Sequence, residues 1–201
     1  MNFPSFFDRV PAVALHDPLA TLLGASGNGP IEYRYADAVR LAGHSCPTVA
    51  GAWLMAGHAL RRLFREATPV RGSVRVELRD ARDAGTTGVV ANVLGLLTGA
   101  ADEGGFKGLN GRHARRGLIY FGAAIQGDAR FTRLDTGATV ELAYDPARVP
   151  PDPALPPLLQ KTLSGQATPE EQAEFGRLWQ DRVRRILLEH GDDAELVRIL
   201  P

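Results

Sequence analysis

One histidine and the chain's single cysteine stand two residues apart, in Gly43-His44-Ser45-Cys46-Pro47-Thr48, just before an apolar run from Val49 to Leu60. Proline suits the first position of a helix, where its missing N–H would have had no partner, so Cys46 is expected at or beside the N-cap. There the unpaired backbone N–H groups and the positive end of the helix dipole favour a thiolate, which is a good metal ligand or nucleophile. In an extended loop, alternate side chains share a side, so His44 can offer imidazole where Cys46 offers sulfur. Two such donors suit zinc or a similar divalent transition metal. The competing reading makes Cys46 a small buried residue and His44 a hydrogen-bonded loop histidine.

Positioning such a pair requires a helix behind it. From Thr48 to about Arg65 the pattern is helical, apolar on nearly all sides up to Leu60, then rich in arginine at Arg61, Arg62 and Arg65. That describes a helix buried at its start and emerging at its end. Gly51, Ala52, Ala56 and Gly57 permit close approach by another element. His58, about 120° round the helix from Cys46, belongs elsewhere. A second apolar helix is expected from about Val89 to Leu97, capped by Thr86 or Thr87 and ended by Gly99, with Asn92 as its one polar side chain, a core residue by expectation.

The rest of the chain supplies short elements. In the N-terminal arm, Asp17 begins a short helix over 18–23 that Gly24 stops, and 31–35 reads as a strand. Strict alternation over 73–79 gives a half-buried strand, and 118–121, 129–134 and 138–144 give three more, the last two joined at Asp135-Thr136-Gly137 as a hairpin. Between them, 103–117 is rich in glycine and carries Lys107, Arg112, Arg115 and Arg116, a composition suited to cradling a small anionic ligand, though without the Gly-Lys-Ser/Thr of a P-loop. Val149-Pro150-Pro151 opens a linker. Thr168-Pro169-Glu170-Glu171 is then a capping box. An amphipathic helix follows to about His190, with Phe175, Leu178, Trp179, Val183 and Ile186 on its apolar face. Residues 192–200 are expected to add a last turn or two.

Composition limits the function. Among 201 residues, Lys+Arg and Asp+Glu number 23 each, so no overall basic field argues for nucleic acid. One cysteine excludes an internal disulfide framework. No signal-like N-terminus and no membrane-spanning run is evident, and a cytoplasmic protein is expected. The fold class is α+β: a mainly antiparallel sheet packed with apolar helices, plus a C-terminal amphipathic helix. The division is 1–148 for the core with its arm and 149–201 for the linker and helical extension.

The order of Gly-His-Ser-Cys-Pro, the long apolar helix, the strand at 74–78, a helix ending Leu97-Thr98-Gly99 and a glycine-rich segment resembles the FmdE-like family of formylmethanofuran dehydrogenase subunits over roughly residues 36–145. The resemblance implies an α+β domain whose His-x-Cys loop is associated with metal, here His44 and Cys46. The chain departs from the family at Thr48, where glycine is usual, and at Ala42, where histidine is usual. Asp80, Asp83 and threonines stand where many relatives carry a second cysteine, and the zinc ribbon is absent. Further ligands are therefore sought among Asp83, Asp80, Asn92, His113 and water, with Lys107 or Arg112 binding an anionic group. A homodimer is expected. The alternative is a non-catalytic accessory or sensor protein acting through its C-terminal helix.

Overall fold

In a computed structural model, residues 3–27 and 29–201 are described. A 3-10 turn, Ser5–Arg9, precedes β1 (Val13–Leu15), α1 (Pro18–Leu22), β2 (Ile31–Tyr33) and α2 (Tyr35–Ala42). Then come α3 (Pro47–Phe64), β3 (Val74–Leu78), α4 (Thr87–Thr98), β4 (Ile119–Tyr120), β5 (Ala129–Arg133) and β6 (Thr139–Tyr144). After a 3-10 turn at Pro146–Arg148, the chain forms α5 (Leu155–Leu163), α6 (Pro169–Arg184), one π-helical turn (Arg185–Glu189) and β7 (Val197–Leu200). No helix among the described residues is long and apolar enough to cross a membrane.

β1 and β2 form a small antiparallel ribbon. The main sheet has the order β4-β3-β5-β6-β7; only the β3–β4 pair is parallel. The α+β class, with a mostly antiparallel sheet, is what the alternating patterns predict. β3 alternates as expected, with Val74, Val76 and Leu78 buried, and the hairpin turn falls between β5 and β6.

The C-terminus differs from the expected helical turns. Residues 197–200 pair with β6 and complete the sheet, so the segment beyond 149 contributes to the same sheet as the core. Little in the sequence warns of this, because Val197-Arg198-Ile199-Leu200 is too short for its period to separate strand from helix. The helix before it ends near His190 as expected, regular to Arg184 and π-helical from Arg185 to Glu189.

α3 is the central element. Twelve of its 18 residues are buried, from Val49 to Phe64, while Arg61 and Arg62 remain exposed. It packs on α4 along one side and on β6 and β7 along another. The close approach anticipated at Gly51 is made by the Tyr144 ring of β6: a Cβ at position 51 would lie inside it. Burial on several sides is what a nearly continuous apolar pattern demands.

A buried ionic cluster ties the arm to this core. Asp17 caps α1 by accepting from the Leu19 and Ala20 amides at 3.0 and 3.2 Å. It also accepts from Arg71 at 2.9 Å and from Arg115 at 2.6 Å. Arg115 is therefore turned inward, away from any anion cradle. Its guanidinium is enclosed by Gly72 and Gly99, where any Cβ would collide with it.

Candidate functional site

Gly43, at φ 76°, ends α2 with a left-handed residue that an L side chain would resist, and sends the chain into the His44-Ser45-Cys46 loop. Cys46 is the N-cap of α3, with Pro47 at its first turn, as the sequence predicts. Its sulfur accepts from the Val49 amide at 3.4 Å, and the residue is 8% exposed. His44 is exposed, and its Nδ1 lies 2.9 Å from the Ala42 carbonyl oxygen. That contact requires the proton on Nδ1, because a carbonyl only accepts, and it leaves the Nε2 lone pair free for a ligand role.

Four side chains from three elements fix this loop. Trp179 Nε1 and Gln180 Nε2 of α6 both donate to the Ser45 carbonyl, at 2.9 and 3.2 Å. The Tyr35 hydroxyl of α2 and Ser45 Oγ are 3.1 Å apart. Tyr144 of β6 donates to the Pro47 carbonyl at 2.9 Å. Burial pushes both phenols well above the usual tyrosine range, and the nearby Cys46 sulfur adds to the shift in each.

A cavity of about 230 Å³ lies beside the loop, where the first turns of α3 and α4 meet the end of β3. Its polar wall is Thr48, Asp80, Thr86, Thr87, Asp128 and Tyr144. Met55, Leu78, Val90 and Pro146 form the apolar part. Asp128 is held by Arg79 at 2.7 Å and accepts from the Tyr144 amide at 2.7 Å. Sequence reasoning singled out Asp80 and the threonines but missed Asp128 and Tyr144. Only a three-dimensional alignment of β3, β5 and β6 brings those two to the mouth of α3.

The other expected site residues lie apart. Asp83 is exposed and does not line the cavity. Lys107 and Arg112 are exposed on the 103–117 loop, and neither lines the cavity. That loop contains a tight reversal in which Leu109 and Arg112 exchange backbone hydrogen bonds across Asn110-Gly111, both at positive φ. Asn92 is exposed, contrary to its expected core placement, and lines a separate open cleft with Arg71, Arg82 and Phe121. A polar side chain on a largely apolar helix marks the face that the core leaves uncovered.

For a metal ion, the donors present are two. His44 Nε2 is free and Cys46 sulfur has only a weak backbone donor, so the pair fits the chemistry of a transition metal. Among the described residues, no group of three or more His, Cys, Asp and Glu side chains is placed to hold an ion. No family model matches this chain, and no curated protein matches it.

Proposed function

We propose that the protein is a metal-binding domain in which His44 Nε2 and Cys46 Sγ hold one divalent transition metal ion, zinc by the softness of its donors. The observation that carries this reading is the Nδ1 contact of His44 with the Ala42 carbonyl, at 2.9 Å. Such a bond to the other ring nitrogen fixes the tautomer and orientation of a ligating histidine. The FmdE-like resemblance points to the same two residues. With two ligands from one chain, the remaining positions fall to water, to a substrate or to a second copy of the chain, since His44 is exposed. A homodimer belongs to this reading.

An ion with an open position would polarise a bound oxygen or activate water. The chain's own residues do the rest. Trp179 and Gln180 hold the loop backbone, Tyr35 meets Ser45 Oγ and Tyr144 donates to the Pro47 carbonyl, and the cavity beside Thr48 and Tyr144 offers room for a small reactant. Docking of a partner through the apolar face of α6 is the less favoured reading. That face is covered within the chain: Leu178, Val183 and Ile186 are buried and Trp179 reaches Ser45.

The test is metal content per chain after purification without a histidine tag, for the native protein, His44→Ala and Cys46→Ser. Near-stoichiometric metal that both substitutions remove supports the proposal. Metal indifferent to both, or absent from the native chain after zinc loading, refutes it.

A further inference from the structure

The cavity beside the loop has features that a metal reading does not use. Thr87 is 9% exposed, lines the cavity and makes no hydrogen bond through its hydroxyl among the described residues. Thr86 occupies the N-cap of α4 but does not cap it. The Thr86 hydroxyl, which at an N-cap would ordinarily satisfy its own helix, is thus left for something else, as is that of Thr87. Asp80 is engaged only by a 3.3 Å contact from Arg79 to one oxygen, and its other oxygen has no partner among the described residues.

The charge pattern selects a ligand. The lining contains Asp80 and Asp128 and no Lys, Arg or His. Arg79, bonded to both carboxylates from outside the lining, offsets one of them. The Asp80 carboxylate oxygen left without a partner among the described residues can only accept, so the group that meets it must donate, as an ammonium does. An anion would face the Asp80 and Asp128 carboxylates there, which separates this cavity from the anionic ligand expected of Lys107 and Arg112. The apolar part, Met55, Leu78, Val90 and Pro146, accepts a short hydrocarbon. At roughly 30 Å³ per water-sized group, a cavity of about 230 Å³ has room for about eight non-hydrogen atoms.

We propose that this cavity is a binding site for a small primary amine, with the ammonium on Asp80, hydrogen bonds shared with the Thr86 and Thr87 hydroxyls, and the carbon chain against Met55 and Val90. The inference does not rest on the metal. Charge-assisted hydrogen bonds are the stronger kind, so the ammonium supplies most of the selectivity. The hydroxyls and the apolar wall set orientation and length.

Matched probes isolate the head group: 1-aminobutane, 1-butanol and butyrate, titrated into the full chain stripped of metal by chelation. Met55 lines the cavity, and the sequence has just one other methionine, Met1, so methyl-labelled methionine gives a local reporter. The expected result is a saturable shift of the Met55 methyl with 1-aminobutane, at a Kd about tenfold or more tighter than for the other two probes. Asp80→Asn should weaken 1-aminobutane by about tenfold and leave 1-butanol unchanged. Thr87→Val should weaken it severalfold. Equal affinity for all three probes, preference for butyrate, no Met55 shift, or an unchanged Kd in Asp80→Asn overturns the proposal. Asp80 is exposed, so its variant should fold, and an unchanged native unfolding midpoint confirms that it does. The His44→Ala variant should bind 1-aminobutane as the native chain does, which keeps a failure of this site distinct from a failure of the metal reading.

Discussion

Replacing Asp17 with alanine should be among the most damaging single changes in the protein. Its side chain is 5% exposed and carries four hydrogen bonds: two from the start of α1 and one each from Arg71 and Arg115. Loss of the helix cap costs about 1 kcal/mol. Loss of the only anion leaves Arg115, with a side chain 9% exposed, as an uncompensated buried charge, and breaking such a pair costs about 3–5 kcal/mol. Arg71 is 22% exposed and can recover part of its solvation from water. A total of roughly 4–6 kcal/mol is a large fraction of a 5–15 kcal/mol stability, and in a chain of this size it lowers Tm by about 8–24 °C. Denaturant unfolding of the variant measures it. The double variant Asp17→Ala with Arg115→Met removes the stranded charge as well and should recover at least half the loss. A single-variant loss below about 1 kcal/mol, or a double variant no better than the single, would refute the reasoning.

Acid titration probes the same cluster. Burial alone would raise the Asp17 carboxyl pKa, but the Arg71 hydrogen bond, the Ala20 amide and the charges of Arg115 and Arg71 outweigh it and hold the group below its ordinary 3.8. A carboxyl depressed in the folded state stabilises above its unfolded pKa, and that contribution should vanish as pH falls below about 4; Asp17→Asn should flatten this part of the stability profile. Burial likewise lowers the pKa of His58, whose Nε2 lies 2.8 Å from the Gly191 carbonyl, below 6.5. Stability tied to neutral His58 should decline as pH falls below about 6.5, and His58→Gln should remove that slope. Gly51→Ala should cost about 1–3 kcal/mol by overpacking, measured by thermal unfolding, and much less in a Tyr144→Ala background, where the colliding ring is gone. Trp179→Phe should cost about 1 kcal/mol for the lost bond to Ser45 and speed hydrogen exchange at the Val49 amide, which donates to Cys46; unchanged exchange would mean that α6 does not hold the loop.

Local chemistry made the start of α3 legible in advance: a proline at the first helical position and a polar atom before it define an N-cap without help from the rest of the fold. The same holds for Asp17 at α1, for the capping box at α6 and for the glycine that ends α4. Residues whose role depends on distant partners were not legible. Arg115 belongs by composition to a basic, glycine-rich loop, yet an aspartate 98 positions earlier draws it into the core. Ser45 carries no signal in the sequence, but its carbonyl is the anchor for α6 from more than 130 positions away. Asp128 lies at the start of β5, and only the register of that strand with β3 and β6 brings it to the cavity. These cases share a cause. A side chain can declare its helix cap through its neighbours, whereas a buried charge or carbonyl is matched by whichever group the sheet order delivers. Naming the loop residues as candidates was possible from sequence; finding the cavity beside them required the folded chain.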